Sequence, residues 1–262
     1  MSDIHEDIYQ GLANQAAPEK PIIFSLGHRC TSTSLIKELK LKFESYPFDW
    51  VVSKLDVIAH CIEDGFVEFL KPENYESKET ETFNMCNGLK RHILTETGVY
   101  NKFYEELEGT LPNELGTYGM KLCMTHHDVR KEADLQYFQR CVSRFNAILE
   151  SDQRKYYLYI HPLMGFFDYG KNVEDLKKFL LFFTDFFKGK TKNSFGLYFL
   201  LVHDEERKGE VLNIHKDDDC IINVMFANEQ LLDAGAVFSG NSWYEEQATI
   251  LKSIEQVIYD SV

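Results

Sequence analysis

Short apolar runs alternate with amphipathic helical stretches through the second half of this chain, and that alternation constrains its fold more than any other feature. Gly119–Met124, Tyr156–Ile160, Gly196–Val202 and Cys220–Phe226 read as strands. Lys131–Glu150 carries Leu135, Phe138, Val142, Phe145 and Leu149 on one helical stripe. Val173–Phe187 is rich in Phe and Leu, and Ser242–Tyr259 reads as a closing helix. A helix between two strands returns the chain to the same end of a sheet, which makes the strands parallel and covers the sheet faces. The pattern predicts an α/β fold: a mostly parallel sheet with helices on both faces, in three layers.

The first half is less regular. Ile22, Ile23 and Phe24 run into Ser25-Leu26-Gly27, a buried strand closing on a glycine turn. Residues 28–40 follow as a helix, with Leu35, Ile36 and Leu39 at helical spacing. Ser45–Trp50 reads as a loop, because Pro47 holds its predecessor extended. Ser53 with Asp56 opens a helix through Val57, Ile58 and Cys61. Residues 71–82 are polar and loop-like, and residues 99–108 read as helix. Asn87-Gly88 is a hairpin turn between Thr82–Cys86 and Leu89–Thr95. Residues 1–20 read as a flexible tail and 21–262 as a single domain.

The formal net charge of -14 argues against a nucleic-acid partner, which needs a basic stripe, and against an anionic membrane surface. No apolar run reaches the ~18–20 residues of a membrane span, so no membrane insertion is expected. The polar, acidic N-terminus lacks the charged and apolar regions of a secretory signal. Cys30, Cys61, Cys86, Cys123, Cys141 and Cys220 are scattered, with no CxxC pair. Reduced thiols and a cytoplasmic location are expected. The expectation for cofactors and metals is none, since close ligand pairs such as HxH or HExxH are absent.

In an open parallel sheet, ligands collect beyond the carboxyl ends of the strands. Here the expected strand ends deliver Gly27-His28-Arg29-Cys30, His126-His127-Asp128, His161 and His203-Asp204 to one edge. A thiol in the first turn of a helix feels the positive helix end, which favours the nucleophilic thiolate, and the helix N–H groups there can bind an oxyanion. That makes Cys30 the leading catalytic residue, with a buried structural cysteine as the competing reading. His28 and Arg29 add positive charge. His127 with Asp128 is the first choice of base, against a helix-capping reading, and His161 and His203 follow. Arg140 and Arg144, four apart, can grip a carboxylate or phosphate, or form a solvated face. Tyr46, Phe48 and Trp50 are either a core plug or a pocket wall, with Asp49 as the third member of a triad.

The pattern Ser25-Leu26-Gly27-x-x-Cys30, Tyr46-Pro47-Phe48-Asp49-Trp50, His127-Asp128, Arg140 and Arg144-Phe145 resembles a domain family of unknown function described as "putative papain-like cysteine peptidase". The resemblance covers residues 21–150. It implies Cys30 as nucleophile, His127 as base, Asp49 or Asp128 as orienter, and a papain-like α+β fold as the alternative architecture. Some members lie beside glycan-building enzymes. The strand-glycine-Cys-helix opening is also similar to that of esterase-like families with a Gly-Ser-Cys-Phe motif. The first reading is therefore a thiol hydrolase acting on a peptide. The others are a thiol-dependent acyltransferase or esterase acting on an acyl or glycan substrate, and a non-catalytic binding module in which Cys30 packs.

Overall fold

The computed structural model describes residues 22–27, 30–86, 89–106, 122–124, 126–163, 173–204, 206–227 and 243–259. The expected tail at 1–20 lies outside them. The chain forms β1 (Ile22–Ser25), α1 (Thr31–Glu38), β2 (Val51–Ser53), α2 (Leu55–Glu63), β3 (Tyr75–Cys86), β4 (Leu89–Asn101), α3 (Lys102–Glu106) and β5 (Leu122–Met124). It continues with α4 (Glu132–Glu150), β6 (Lys155–Leu163), α5 (Val173–Lys188), β7 (Ser194–His203), β8 (Val211–Lys216), β9 (Cys220–Ala227) and α6 (Trp243–Tyr259).

The strands form two sheets. The first has five strands in the order β1-β6-β7-β9-β8. Its pairs β1–β6, β6–β7 and β7–β9 are parallel, and only the edge strand β8 is antiparallel. The second has four strands in the order β2-β5-β4-β3, all antiparallel. The protein is thus a mixed α/β structure with one mostly parallel sheet, as expected, and an antiparallel sheet of which only the pairing of Thr82–Cys86 with Leu89–Thr95 was expected. The expected strand Gly119–Met124 belongs to this second sheet: its described part, β5, pairs with β2 through Val51↔Met124, Val52↔Cys123 and Ser53↔Leu122.

Residue alternation explains the cores. On β6, Tyr156, Leu158 and Ile160 enter a core with Leu35 and Ile36 of α1 and with Ile250, Ile254 and Ile258 of α6, spaced one helical turn apart. Tyr157 and Tyr159 point the other way. They meet Phe138, Val142 and Phe145 of α4, Leu180, Phe183 and Phe187 of α5, and Val57, Ile58 and Cys61 of α2. Each fully buried side chain of this kind contributes about 1.5–3 kcal/mol. Leu122 and Met124 of β5 and Val51 of β2 join this second core, which fixes the antiparallel sheet against α4 and the parallel sheet.

Smaller departures have local causes. Residues 71–82 looked like loop because Glu76, Lys78 and their neighbours are charged, yet Tyr75–Cys86 pairs in register with Leu89–Asn101. Of the expected helix at 99–108, Val99–Asn101 completes β4 and Lys102–Glu106 is helical, while residues 107 and 108 lie outside the described residues. Edge strand β8 escaped notice because its Leu212 and Asn213 are exposed. Among the described residues no helix is long and apolar enough to cross a membrane.

Candidate active site

β1 ends at Ser25, whose hydroxyl accepts a hydrogen bond from the Gly27 N–H at 2.9 Å. Gly27 turns the chain at φ +75°, a conformation that favours glycine. A Cβ here would stand 2.0 Å from Ser53 Oγ, so β2 approaches this turn too closely for any side chain. Cys30 then occupies the N-cap of α1, its carbonyl accepting the first helical hydrogen bond from the Ser34 N–H at 2.9 Å. The first N–H groups of a helix have no partner within it, so Cys30 stands at the positive end of α1. It is 6% exposed, which makes access to the sulfur narrow. His28 and Arg29 lie outside the described residues.

His127 follows β5 and precedes α4. Its Nδ1 lies 2.9 Å from Asp134 Oδ1. An ionised carboxylate only accepts, so Nδ1 carries the hydrogen and Nε2 of a neutral ring keeps a lone pair. The other oxygen of Asp134 accepts the Asp128 N–H at 2.9 Å. Partial burial pushes the Asp134 carboxyl up, but the hydrogen bonds from His127 and Asp128 outweigh it and hold the carboxyl below its usual value. Tyr137 of α4 stacks on the imidazole, with ring centroids 4.8 Å apart and planes 15° apart, and Phe138 meets it edge-on at 5.3 Å. The ring is therefore fixed in tautomer, tilt and position.

The Tyr46–Trp50 loop is tied to the Cys30 helix. Thr33, one turn beyond Cys30, donates through Oγ1 to the Asp49 carbonyl at 2.5 Å. The Asp49 carboxylate, almost wholly buried, is held by Lys42, by the Tyr46 N–H at 2.7 Å and by Thr33. Desolvation dominates and raises its pKa, with Lys42 opposing. Tyr137, which stacks on His127, also interacts with Ser45 of this loop and with Cys141. A continuous set of contacts thus runs from His127 through Tyr137 and the 42–49 loop to the first turn of α1.

A family model matches residues 22–188. The chain belongs to that family, described as "putative papain-like cysteine peptidase (DUF1796)". The match takes in β1, Cys30, the Tyr46–Trp50 loop, His127 and Asp134, and ends with α5. An uncharacterized protein of Acanthamoeba polyphaga mimivirus is 27% identical over 168 residues, which are 64% of this chain and 62% of that protein. The chain therefore spans about three fifths of the length of this curated relative. No solved structure matches.

Within this family member the remaining expected residues fall into different places. Among the described residues Asp49 and Asp128 are taken up by other partners. Asp49 serves Lys42 and the loop, while Asp128 grips Arg130 through its Nε at 2.8 Å and Nη2 at 2.9 Å. Arg130 Nη2 reaches on to Ser77 Oγ of β3 at 2.6 Å, which ties the His127 loop to the antiparallel sheet. Phe48 is no pocket wall: it is fully buried among Phe66, Phe69 and Phe145. Tyr46 is also buried, packed on Phe24, while Trp50 is half-buried.

Arg140 and Arg144 do not act as one clamp. Arg140 is exposed, whereas Arg144 donates to the Ser45 carbonyl at 3.4 Å. His161 is buried inside β6, stacked on Tyr159 with its Nδ1 3.4 Å from the Tyr159 hydroxyl. The Leu26 N–H bonds the Leu158 carbonyl at 3.0 Å, and His161 lies three residues further along β6. His203 is the last residue of β7 and pairs in register with Ala227. The shared-edge expectation therefore holds for the strands leading to Cys30, His161 and His203, and fails for His127, which comes from the second sheet. Asp134 and Tyr137 were missed. An acid in the first turn of the helix after His127 is the signal that marks Asp134.

Proposed function

We propose that the protein is a cysteine-dependent hydrolase of peptide bonds, with Cys30 as nucleophile, His127 as general base and Asp134 as the residue that positions the imidazole. The observation that carries this reading is the His127–Asp134 hydrogen bond, with Tyr137 stacked on the ring. It fixes the arrangement that a thiol base requires: a carboxylate on Nδ1 and a lone pair on Nε2. Family membership and the position of Cys30 at a helix N-terminus support the same reading.

In this mechanism His127 Nε2 takes the Cys30 proton, and the thiolate attacks the substrate carbonyl. The resulting oxyanion is met by N–H groups at the start of α1. The imidazolium returns its proton to the leaving amine, giving a thioester. Water, deprotonated by His127, then hydrolyses the thioester and frees Cys30. The five described cysteines are free thiols, consistent with a reducing, cytoplasmic setting for such an enzyme.

The test is a thiol-directed activity probe followed by panels of peptide, ester and acyl-donor substrates. Peptide turnover lost in Cys30→Ala and His127→Ala supports the reading. Retention of full activity in Cys30→Ala defeats it. His161→Ala serves as the comparison, because β6, which carries His161, pairs in parallel with β1, which leads to Cys30: turnover lost there and kept in His127→Ala assigns the base to His161 instead.

A further inference from the structure

The turn between β8 and β9 gathers three donor groups that the proposed reaction does not use. His215 Nε2, a carboxylate oxygen of Asp217 and Cys220 Sγ all lie within 4.8 Å of one another. His215 Nε2 is 2.7 Å from Asp217 Oδ2. Asp217 Oδ1 accepts the N–H groups of Asp219 and Cys220, each at 2.8 Å, which locks the carboxylate in place. Cys220 also interacts with Asp217, so one carboxylate receives both an imidazole and a thiol. We propose that this cluster is a binding site for a thiophilic divalent cation of the zinc class, held by His215 Nε2, Asp217 Oδ2 and Cys220 Sγ.

The donor set selects the ion. A nitrogen, an oxygen and a sulfur suit zinc and cobalt, whereas magnesium and calcium take oxygen ligands. Tetrahedral zinc, with bonds of about 2.0–2.3 Å, holds neighbouring ligands about 3.5 Å apart. The donors, which lie within 4.8 Å of one another, thus need a contraction of at most about 1.3 Å, to which rotation of His215 on its edge strand contributes. Asp217, Asp218 and Asp219 make the turn acidic, and the nearby cation Lys188 is already paired with Asp219. On binding, the hydrogen that His215 Nε2 directs at Asp217 is lost to solvent while Nδ1 takes one up, the ion takes the freed Nε2 lone pair and an oxygen of Asp217, and it displaces the thiol proton of Cys220 to solvent. Water completes the four-coordinate shell. The ion then clips edge strand β8 to β9. These residues lie beyond the part of the chain that matches the family, so the site stands apart from the proposed hydrolase chemistry.

Cobalt(II) titrated into the full chain tests this, read as a thiolate-to-cobalt charge-transfer band with zinc as competitor. One equivalent of cobalt should bind and be displaced by zinc. The band should vanish in Cys220→Ser, and the affinity should fall at least about tenfold in His215→Gln. Cys220 is buried and its replacement can disturb the turn, so the partly exposed His215 carries the decision where Cys220→Ser fails to fold. The proposal is overturned by the lack of any band, or by a band of undiminished affinity in His215→Gln.

Discussion

His127 Nδ1 lies 2.9 Å from Asp134 Oδ1, and the same carboxylate takes the Asp128 N–H at 2.9 Å on its other oxygen. The backbone of the His127 loop therefore holds the very group that holds the ring. Asp134→Asn presents an amide in place of an acceptor-only carboxylate and releases the imidazole tautomer. The expected result is a fall in kcat of about 10²–10⁴-fold with little change in KM. The pH dependence has a definite sign. The Asp134 carboxyl is depressed, so its contribution is fully present above the ordinary Asp value of about 3.9 and is lost only as pH falls below it. The ratio of wild-type to Asp134→Asn rates should stay constant from about pH 5 to 8.

Thiol labelling separates a reactive Cys30 from the packed cysteines. Burial pushes the Cys61 thiol well up, despite its contact with the Tyr104 hydroxyl, and pushes Cys220 up to about 12. Iodoacetamide at neutral pH should modify Cys30 before Cys61, Cys123 or Cys220, with mass spectrometry of the digest reading the order. His127→Ala should slow the modification of Cys30 and leave the others unchanged. Labelling of Cys30 no faster than Cys61 in the native protein argues for a purely packed thiol.

The parallel sheet was legible because β6, β7 and β9 are apolar runs separated by connections that include helical stretches or extra residues. What escaped was the partner of β5. A three-residue strand, Leu122–Met124, carries no periodicity that distinguishes parallel from antiparallel pairing. Hence His127 was assigned to the wrong sheet, although its neighbourhood singled it out as the candidate base. Asp49 shows the opposite limit. Its place beside aromatic residues was plain, but its pairing depends on Lys42 seven residues earlier and Thr33 on another helix, and no local spacing reports such contacts.

Asp49 and Lys42 give a stability prediction. Asp49 is 1% exposed and Lys42 12%, so removing the amine leaves a buried carboxylate without its countercharge. Lys42→Ala should cost about 3–5 kcal/mol at neutral pH, measured by urea denaturation. Desolvation already raises the Asp49 carboxyl, and loss of Lys42 raises it further. For a raised carboxyl the folded state binds the extra proton, so the stability loss develops as pH rises from the unfolded value of about 3.9 through the folded one. The variant should therefore recover relative to wild type at about pH 4, where Asp49 is protonated in the folded state. A loss independent of pH means that Lys42 acts by packing alone.

Gly27 links the geometry of Cys30 to the antiparallel sheet. Its φ of +75° costs a residue with a side chain about 1–2 kcal/mol, and an added Cβ would stand 2.0 Å from Ser53 Oγ. Ser53 is buried, with its hydroxyl donating to the Leu26 carbonyl at 3.3 Å, so turning Oγ aside gives up that hydrogen bond. Gly27→Ala should therefore destabilise by more than the backbone cost alone, and it should alter the labelling rate of Cys30 three residues later. In a Ser53→Ala background the clash with Oγ disappears and the φ cost stays. Gly27→Ala should then cost only about 1–2 kcal/mol, a coupling that a double-mutant cycle reads directly. Equal costs in the two backgrounds would show that the turn relaxes without help from β2, and that the contact with Ser53 does not fix the position of Cys30.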